Sequence, residues 1–318
     1  VAFIQAIVYT KNMNVSPRFH AAANARTEGV DPRFERSDEI PVMESLELQL
    51  LAQEEGLQAI RYALPQIEAA VLAATDVLAE GNGRLVYIGA GTSGRVGVQD
   101  GVELVPTFGW PRDRLAYLMA GGERALVQSV EKSEDNVEQA AQDIQALNIT
   151  KDDVVIGIAA SGTTPYTICA LHFARDMGAT TIAIANNADA PLLDTGQFPV
   201  SIVTGPEFIA GSTRLKAGTT QKIALSMISN QIMIGLNKVY RGLMVDMQLN
   251  NEKLVKRGWS MIQRVTGCDL PEAQDALTRS DGHVKTAIMV AHGANPADAR
   301  AALARTRGHL GRALTLQG

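Results

Sequence analysis

Arg84-Leu85-Val86-Tyr87-Ile88-Gly89-Ala90-Gly91-Thr92-Ser93-Gly94-Arg95 passes from a short apolar run into a glycine-rich turn and out into a helical pattern. The stretch Val154–Pro165 repeats the plan: apolar run, small residues, Ser and Thr, Gly, helix. Outward from these two, further runs of the same kind follow at Leu115–Met119, Thr180–Ile184 and Val200–Val203. With Arg84–Ile88 and Val154–Ile158 they make five. Short continuous apolar or β-branched runs separated by helical segments are what a parallel sheet buried on both faces requires. The expected fold is α/β, a doubly wound five-stranded parallel sheet.

The flanks are helical. Leu57, Ile60, Leu64, Ile67, Val71, Ala74 and Leu78 step by three and four, with Pro65 expected to break or restart the helix. Thr219–Tyr240 reads as a long helix rich in Ile, Leu and Met. From Asn250 onward amphipathic pieces alternate with turn signals at Thr266-Gly267-Cys268, Asp281-Gly282 and Gly293-Ala294-Asn295-Pro296. That pattern predicts a small C-terminal module of three helices. The expected organisation is an arm over 1–43, a sheet domain with its preceding helices over 44–249, and the helical module over 250–318. The strand count suits a flavodoxin-like order.

Composition narrows the function. The chain has 318 residues, 46% hydrophobic and 20% charged, with 29 Lys plus Arg against 34 Asp plus Glu. A net charge of −5 without a basic run argues against nucleic acid as a partner. Two cysteines and five scattered histidines exclude a disulfide scaffold and a Cys-rich zinc site, so no metal is expected. No apolar run approaches the roughly 20 residues of a membrane helix. Val1–Tyr9 is apolar but short, without a basic start or a small-residue cleavage motif. A cytoplasmic protein acting on a small molecule is expected, with no membrane partner.

Three loops could hold that molecule. Gly89–Gly94 satisfies G-x-G-x-x-G, but the second strand ends Met119-Ala120-Gly121-Gly122, without the acidic residue a dinucleotide ribose needs. Thr92 and Ser93 instead offer hydroxyls to an anion. Ser161, Thr163 and Thr164 place three more ahead of Pro165, which suits the first turn of a helix. Hydroxyls with helix-end N–H groups make a phosphate cradle, although a single Ser or Thr is more often only a cap. Gly211–Thr219 is the third loop, with Ser212, Arg214 and Lys216; taken alone, its two cations read as solvated surface charges. Asp100 and Glu103 follow the first loop; Glu131, Glu134 and Asp135 follow the second strand. Carboxylates at strand ends can serve as general acid and base, although most glutamates are surface charges.

These residues carry a resemblance. Gly89–Arg95, Pro106-Thr107-Phe108-Gly109, Ala159–Pro165 and Gly211–Thr219 together resemble the N-acetylmuramic acid 6-phosphate etherases, which contain a sugar isomerase (SIS) domain. Leu243-Met244-Val245-Asp246 and Thr266-Gly267-Cys268 also match, and the likeness runs from about Thr27 to about Leu314. It implies that Glu103 is the proton donor and Glu134 the other active-site carboxylate. Glu131, Thr92, Ser93, Ser161, Thr163, Thr164, Ser212 and Lys216 would surround the sugar phosphate. It also implies a homodimer with its site near the interface. Gly101-Val102-Glu103-Leu104-Val105-Pro106 stands where the family tends to have Ala-Ser-Glu-Cys-Pro-Pro. Pro41-Val42-Met43-Glu44 stands where it has Ser-Thr-x-Glu, and residues 1–26 have no counterpart.

The reaction implied is loss of the lactyl ether, which needs an acid, a base and an opened sugar ring, and no metal or redox cofactor. Two other functions suit the same fold: a non-catalytic sugar-phosphate sensor and an aldose–ketose isomerase.

Overall fold

The computed structural model describes residues 26–316; Val1–Tyr9 and the first part of the expected arm lie outside them. Strands β1 (Leu85–Gly89), β2 (Leu115–Met119), β3 (Val154–Ala159), β4 (Thr180–Ala185) and β5 (Phe198–Ser201) form one sheet. All pairings are parallel and the order is β2-β1-β3-β4-β5, the flavodoxin-like arrangement. β1 and β3 are buried along their whole length, so they read as unbroken apolar runs. The chain leaves β1 towards β2 and returns on its other side as β3. That reversal opens a crevice at the strand ends where ligands of such sheets bind.

Helices α1 (Val42–Glu80), α2 (Gly91–Phe108), α3 (Val137–Ala146), α4 (Pro165–Asp176), α5 (Pro191–Thr195) and α6 (Lys216–Gly235) accompany the sheet. The last stretch holds α7 (Glu252–Thr266), α8 (Leu270–Arg279), α9 (Val284–Ala291), α10 (Pro296–Arg305) and α11 (Leu310–Thr315). The described residues up to Gly101, with Asp113–Ile228, form one compact unit. Val102–Arg112 and the described residues from Ser229 onward form another. Val86, Ile88, Val155, Tyr166, Leu171 and Leu192 belong to the core of the first. Met261, Ile262, Leu277, Ile288 and Met289 belong to that of the second.

Four expectations are corrected. Pro65 neither breaks nor restarts α1, which runs 39 residues through it. Pro65 and Arg61, whose carbonyl loses its partner, are both exposed, so the freed oxygen lies on the solvent side of the helix. Ala59, Ile60, Ala63, Ile67 and Ala70 bury the opposite side and hold the helix together. The long helix predicted over Thr219–Tyr240 starts earlier and stops at Gly235. Asn237 takes a left-handed conformation (φ 62°), and Lys238 N–H donates to Met233 O at 2.9 Å, a hydrogen-bonded helix stop. The fifth strand lies at Phe198–Ser201 rather than Val200–Val203. It is an edge strand, where Pro199, lacking an N–H, is tolerated. The C-terminal module has five helices rather than three. Three turn signals already divide a segment into four, and Arg307-Gly308, both with positive φ, adds the fifth.

Residues 26–41 lie against the first unit. Thr27 is buried and exchanges hydrogen bonds with Asn187, and the Phe34 ring packs on Phe208 at 5.2 Å.

Candidate active site

The first loop is shaped by a close approach of strand and helix. A Cβ on Gly94 would lie 2.3 Å from the Met119 sulfur and 2.8 Å from Gly89 O. These glycines let α2 start directly against β1 and β2, a packing role independent of any dinucleotide. Thr92 is half-buried and Ser93 buried in the first turn of α2.

Arg95, one turn further, holds the segment after β2. Its guanidinium donates to Ala125 O (3.0 Å), Leu126 O (3.2 Å) and Gln128 O (3.0 Å). Between the first loop and this segment lies a cavity of about 380 Å³, lined by Gly91, Arg95, Met119, Glu131 and Glu134 among others. Both glutamate side chains are exposed. The structure therefore brings the first loop and both second-strand carboxylates around one space. The sequence reading passed over Arg95; its place at the end of the quoted motif was the available signal.

The Ser161 loop joins the same region through the backbone. Tyr166 N–H, in the first turn of α4, donates to Glu134 O at 2.9 Å. Thr163 donates to Ser161 Oγ through its N–H (3.2 Å) and its hydroxyl (3.0 Å). Thr164 is the N-cap of α4 but makes no side-chain cap bond, so capping does not account for its hydroxyl. Asn187 Nδ2 donates to Ala160 O (3.1 Å), Ser161 O (3.3 Å) and Thr27 Oγ1 (3.1 Å), and so fixes the loop from behind. No sequence pattern singled out Asn187.

The third loop departs most from its sequence reading. Lys216 is no solvated surface charge: its side chain is 2% exposed, with Nζ 3.5 Å from Glu55 Oε2. Glu55 also pairs with Arg33 (2.5 Å), which binds Asp31 (2.6 Å). Arg33 and Lys216 hold the Glu55 carboxyl below its usual range, the hydrogen bond from Arg33 contributing most. The first N–H groups of α6 are taken by Glu207, which accepts from Lys216 N–H (2.8 Å) and Ala217 N–H (2.9 Å). Glu207 is buried, and burial pushes its carboxyl above the usual range against these donors. Arg214 is exposed and Ser212 half-buried. The loop still reaches the first one: a Cβ on Gly218 would lie 3.1 Å from Thr92 Cγ2.

Glu103 is exposed on α2, in the segment that belongs to the second unit. There Gln248 N–H donates to Pro106 O at 3.1 Å, which joins the Pro106–Gly109 turn to the end of the Leu243–Asp246 motif. Asp100 accepts a hydrogen bond from Tyr87 OH at 2.8 Å. Gly101 follows from aromatic packing: a Cβ there would lie 2.7 Å from Tyr117 Cε1 and 2.8 Å from Tyr87 Cε2. Among the described residues no group of three or more His, Cys, Asp or Glu could hold a metal ion, and no helix is long and apolar enough to cross a membrane.

The parallel sheet in this order carries hydroxyl-bearing loops at its strand ends, and its sequence matches a sugar isomerase (SIS) domain. Residues 67–175 match the family described as the glucokinase regulatory protein N-terminal SIS domain. A solved chain from Escherichia coli CFT073 superposes with a TM-score of 0.46 at 20% identity, covering 64% of this chain and 96% of that one. A Deinococcus radiodurans N-acetylmuramic acid 6-phosphate etherase is 49% identical over 266 residues, 83% of this chain and 87% of the relative. One from Edwardsiella ictaluri is 44% identical over 289 residues, 91% of this chain and 96% of the relative. The chain belongs to the N-acetylmuramic acid 6-phosphate etherase family.

Proposed function

We propose that the chain is a carbon–oxygen lyase that cleaves the D-lactyl ether at C3 of N-acetylmuramic acid 6-phosphate. The products are N-acetylglucosamine 6-phosphate and D-lactate. The observation that carries this function is the near-full-length identity to relatives named for that activity. The cavity that joins the first loop to Glu131 and Glu134 supports it.

The chemistry follows from the bond to be broken. The hydrogen on C2 is acidic only beside a carbonyl, so the sugar must first open to its aldehyde. Glu134 removes the C2 proton. Glu103 protonates the ether oxygen as the C3–O bond breaks, so lactate departs and leaves an α,β-unsaturated aldehyde. Water then adds, its oxygen to C3 and a proton to C2. Each proton transfer lies within the reach of a positioned carboxyl group. Ser161, Thr163 and Thr164, with Thr92 and Ser93, donate to the phosphate beside the first turns of α2 and α4. Glu131 and Ser212 border the sugar. Lys216 enters as the residue that fixes the third loop, since its ammonium is enclosed beside Glu55.

Purified chain incubated with N-acetylmuramic acid 6-phosphate should release D-lactate, read by a coupled dehydrogenase assay. A second function, a sugar-phosphate sensor, is favoured by the match of residues 67–175 to a domain of a regulatory protein. Binding of the sugar phosphate without lactate release would select the sensor, and an isomerised sugar without lactate would select an isomerase.

A further inference from the structure

The second unit contains a cavity of about 410 Å³, with Lys238, Asp246, Lys285 and Arg307 among its lining residues. Two ammonium groups share one carboxylate oxygen there. Asp246 Oδ2 lies 2.7 Å from Lys285 Nζ and 3.2 Å from Lys238 Nζ. One carboxylate neutralises one of them, so the cluster keeps a surplus positive charge. Arg300, another lining residue, is paired with Asp281 at 3.1 Å and adds nothing to that count.

Lys285 is the most costly member to charge. Its side chain is 8% exposed, and burial pushes its ammonium below the usual range while Asp246 pulls it back up. A further anion would stabilise it. Gly308, whose φ of 77° belongs to the turn after α10, faces the ammonium, and a Cβ there would lie 3.3 Å from Lys285 Nζ. Gly282–Thr286, the start of α9, line the same cavity, and the N-cap His283 makes no side-chain cap bond. The positive end of a helix, with its N–H groups, thus joins two ammonium groups around one space.

We propose that this cavity is an oxyanion site that binds a phosphate group, either inorganic phosphate or the phosphoryl group of a sugar phosphate. Two ammonium groups and helix-end N–H donors suit three oxygens carrying a double negative charge. The volume leaves room for a sugar beyond them.

The test is a backbone-amide NMR titration of the full chain, first with inorganic phosphate and then with N-acetylglucosamine 6-phosphate. Saturable shifts of the Gly282–Thr286 and Gly308 amides are expected. Equal or tighter binding of inorganic phosphate identifies the free ion as ligand, and tighter binding of the sugar phosphate identifies the ester. Lys238→Met, at a half-buried position, should weaken the saturable binding at least fivefold, and Lys285→Met should abolish it. Absent or unsaturable shifts at these amides overturn the site, as does unchanged affinity in a folded Lys238→Met variant. Shifts at Ser161–Thr164 bear on the etherase function instead, so the two can fail separately.

Discussion

Glu103 and Glu134 carry the same side chain on very different backbones. Glu134 sits in an irregular segment whose carbonyl accepts the first N–H of α4, while Glu103 lies inside α2, three residues before Pro106. If Glu134 is the base, wild type turning over substrate in deuterated water should place deuterium at C2 of the product. Glu134→Gln should then lose both this exchange and lactate release, because an amide has no useful basicity at neutral pH. Glu103→Gln should lose most lactate release yet keep part of the C2 exchange, since proton removal can precede departure of lactate. NMR of the sugar and a lactate assay read the two effects separately. Full exchange in Glu134→Gln would move the base to another group, Glu131 first. The hydroxyls of these loops were legible in the sequence because Ser and Thr cluster there beside glycine. Arg95, Asn187 and Glu207 were not, because each acts on backbone atoms from 9 to 160 residues away, a distance no local pattern encodes.

Elements show where local rules yield to packing. The strands were legible because two buried faces leave only apolar residues, as in Val154–Ala159. Pro65 was misjudged because a helix interior usually rejects proline, and only the buried alanine stripe of α1 reveals why this one survives. Proline is about 3 kcal/mol less favourable than alanine inside a helix, and losing its restraint on the unfolded chain returns about 0.4–1 kcal/mol. Pro65→Ala should therefore raise stability by about 2 kcal/mol, read as a higher denaturant midpoint at unchanged slope. A lower midpoint would mean that the ring is needed where it stands. Glu207 governs the start of α6 in a different way. Burial raises its pKa from an ordinary value near 4.5. A carboxyl raised in the folded state stabilises most below its unfolded pKa, and that contribution is lost as pH rises through the folded value. Gln does not titrate. The stability advantage of wild type over Glu207→Gln, from urea unfolding, should shrink as pH rises above about 4.5. A gap that widens with pH would show that the charged cap outweighs its desolvation.

At the scale of the molecule, α1 is apolar on two sides. It is 39 residues long, about 58 Å at 1.5 Å per residue. Its buried stripe accounts for one side. Another side exposes Met43, Leu50, Leu57 and Leu64, each seven residues after the last and each more than 40% exposed. Seven-residue spacing keeps side chains on one side of a helix and is the pattern by which two helices pair. Monomers rarely leave so long an apolar strip in water. If the homodimer that the family resemblance implies forms through this strip, a second copy of the chain would cover it. Leu50→Glu combined with Leu57→Glu should convert a dimer to a monomer, halving the mass seen by light scattering. Both positions are exposed in the single chain, so each change should alter monomer stability by only about 0.5 kcal/mol and leave the circular dichroism spectrum unchanged. Loss of mass with retained secondary structure would place the interface on α1. A monomeric wild type would remove the dimer, and a double variant that stays dimeric would move the interface to another face.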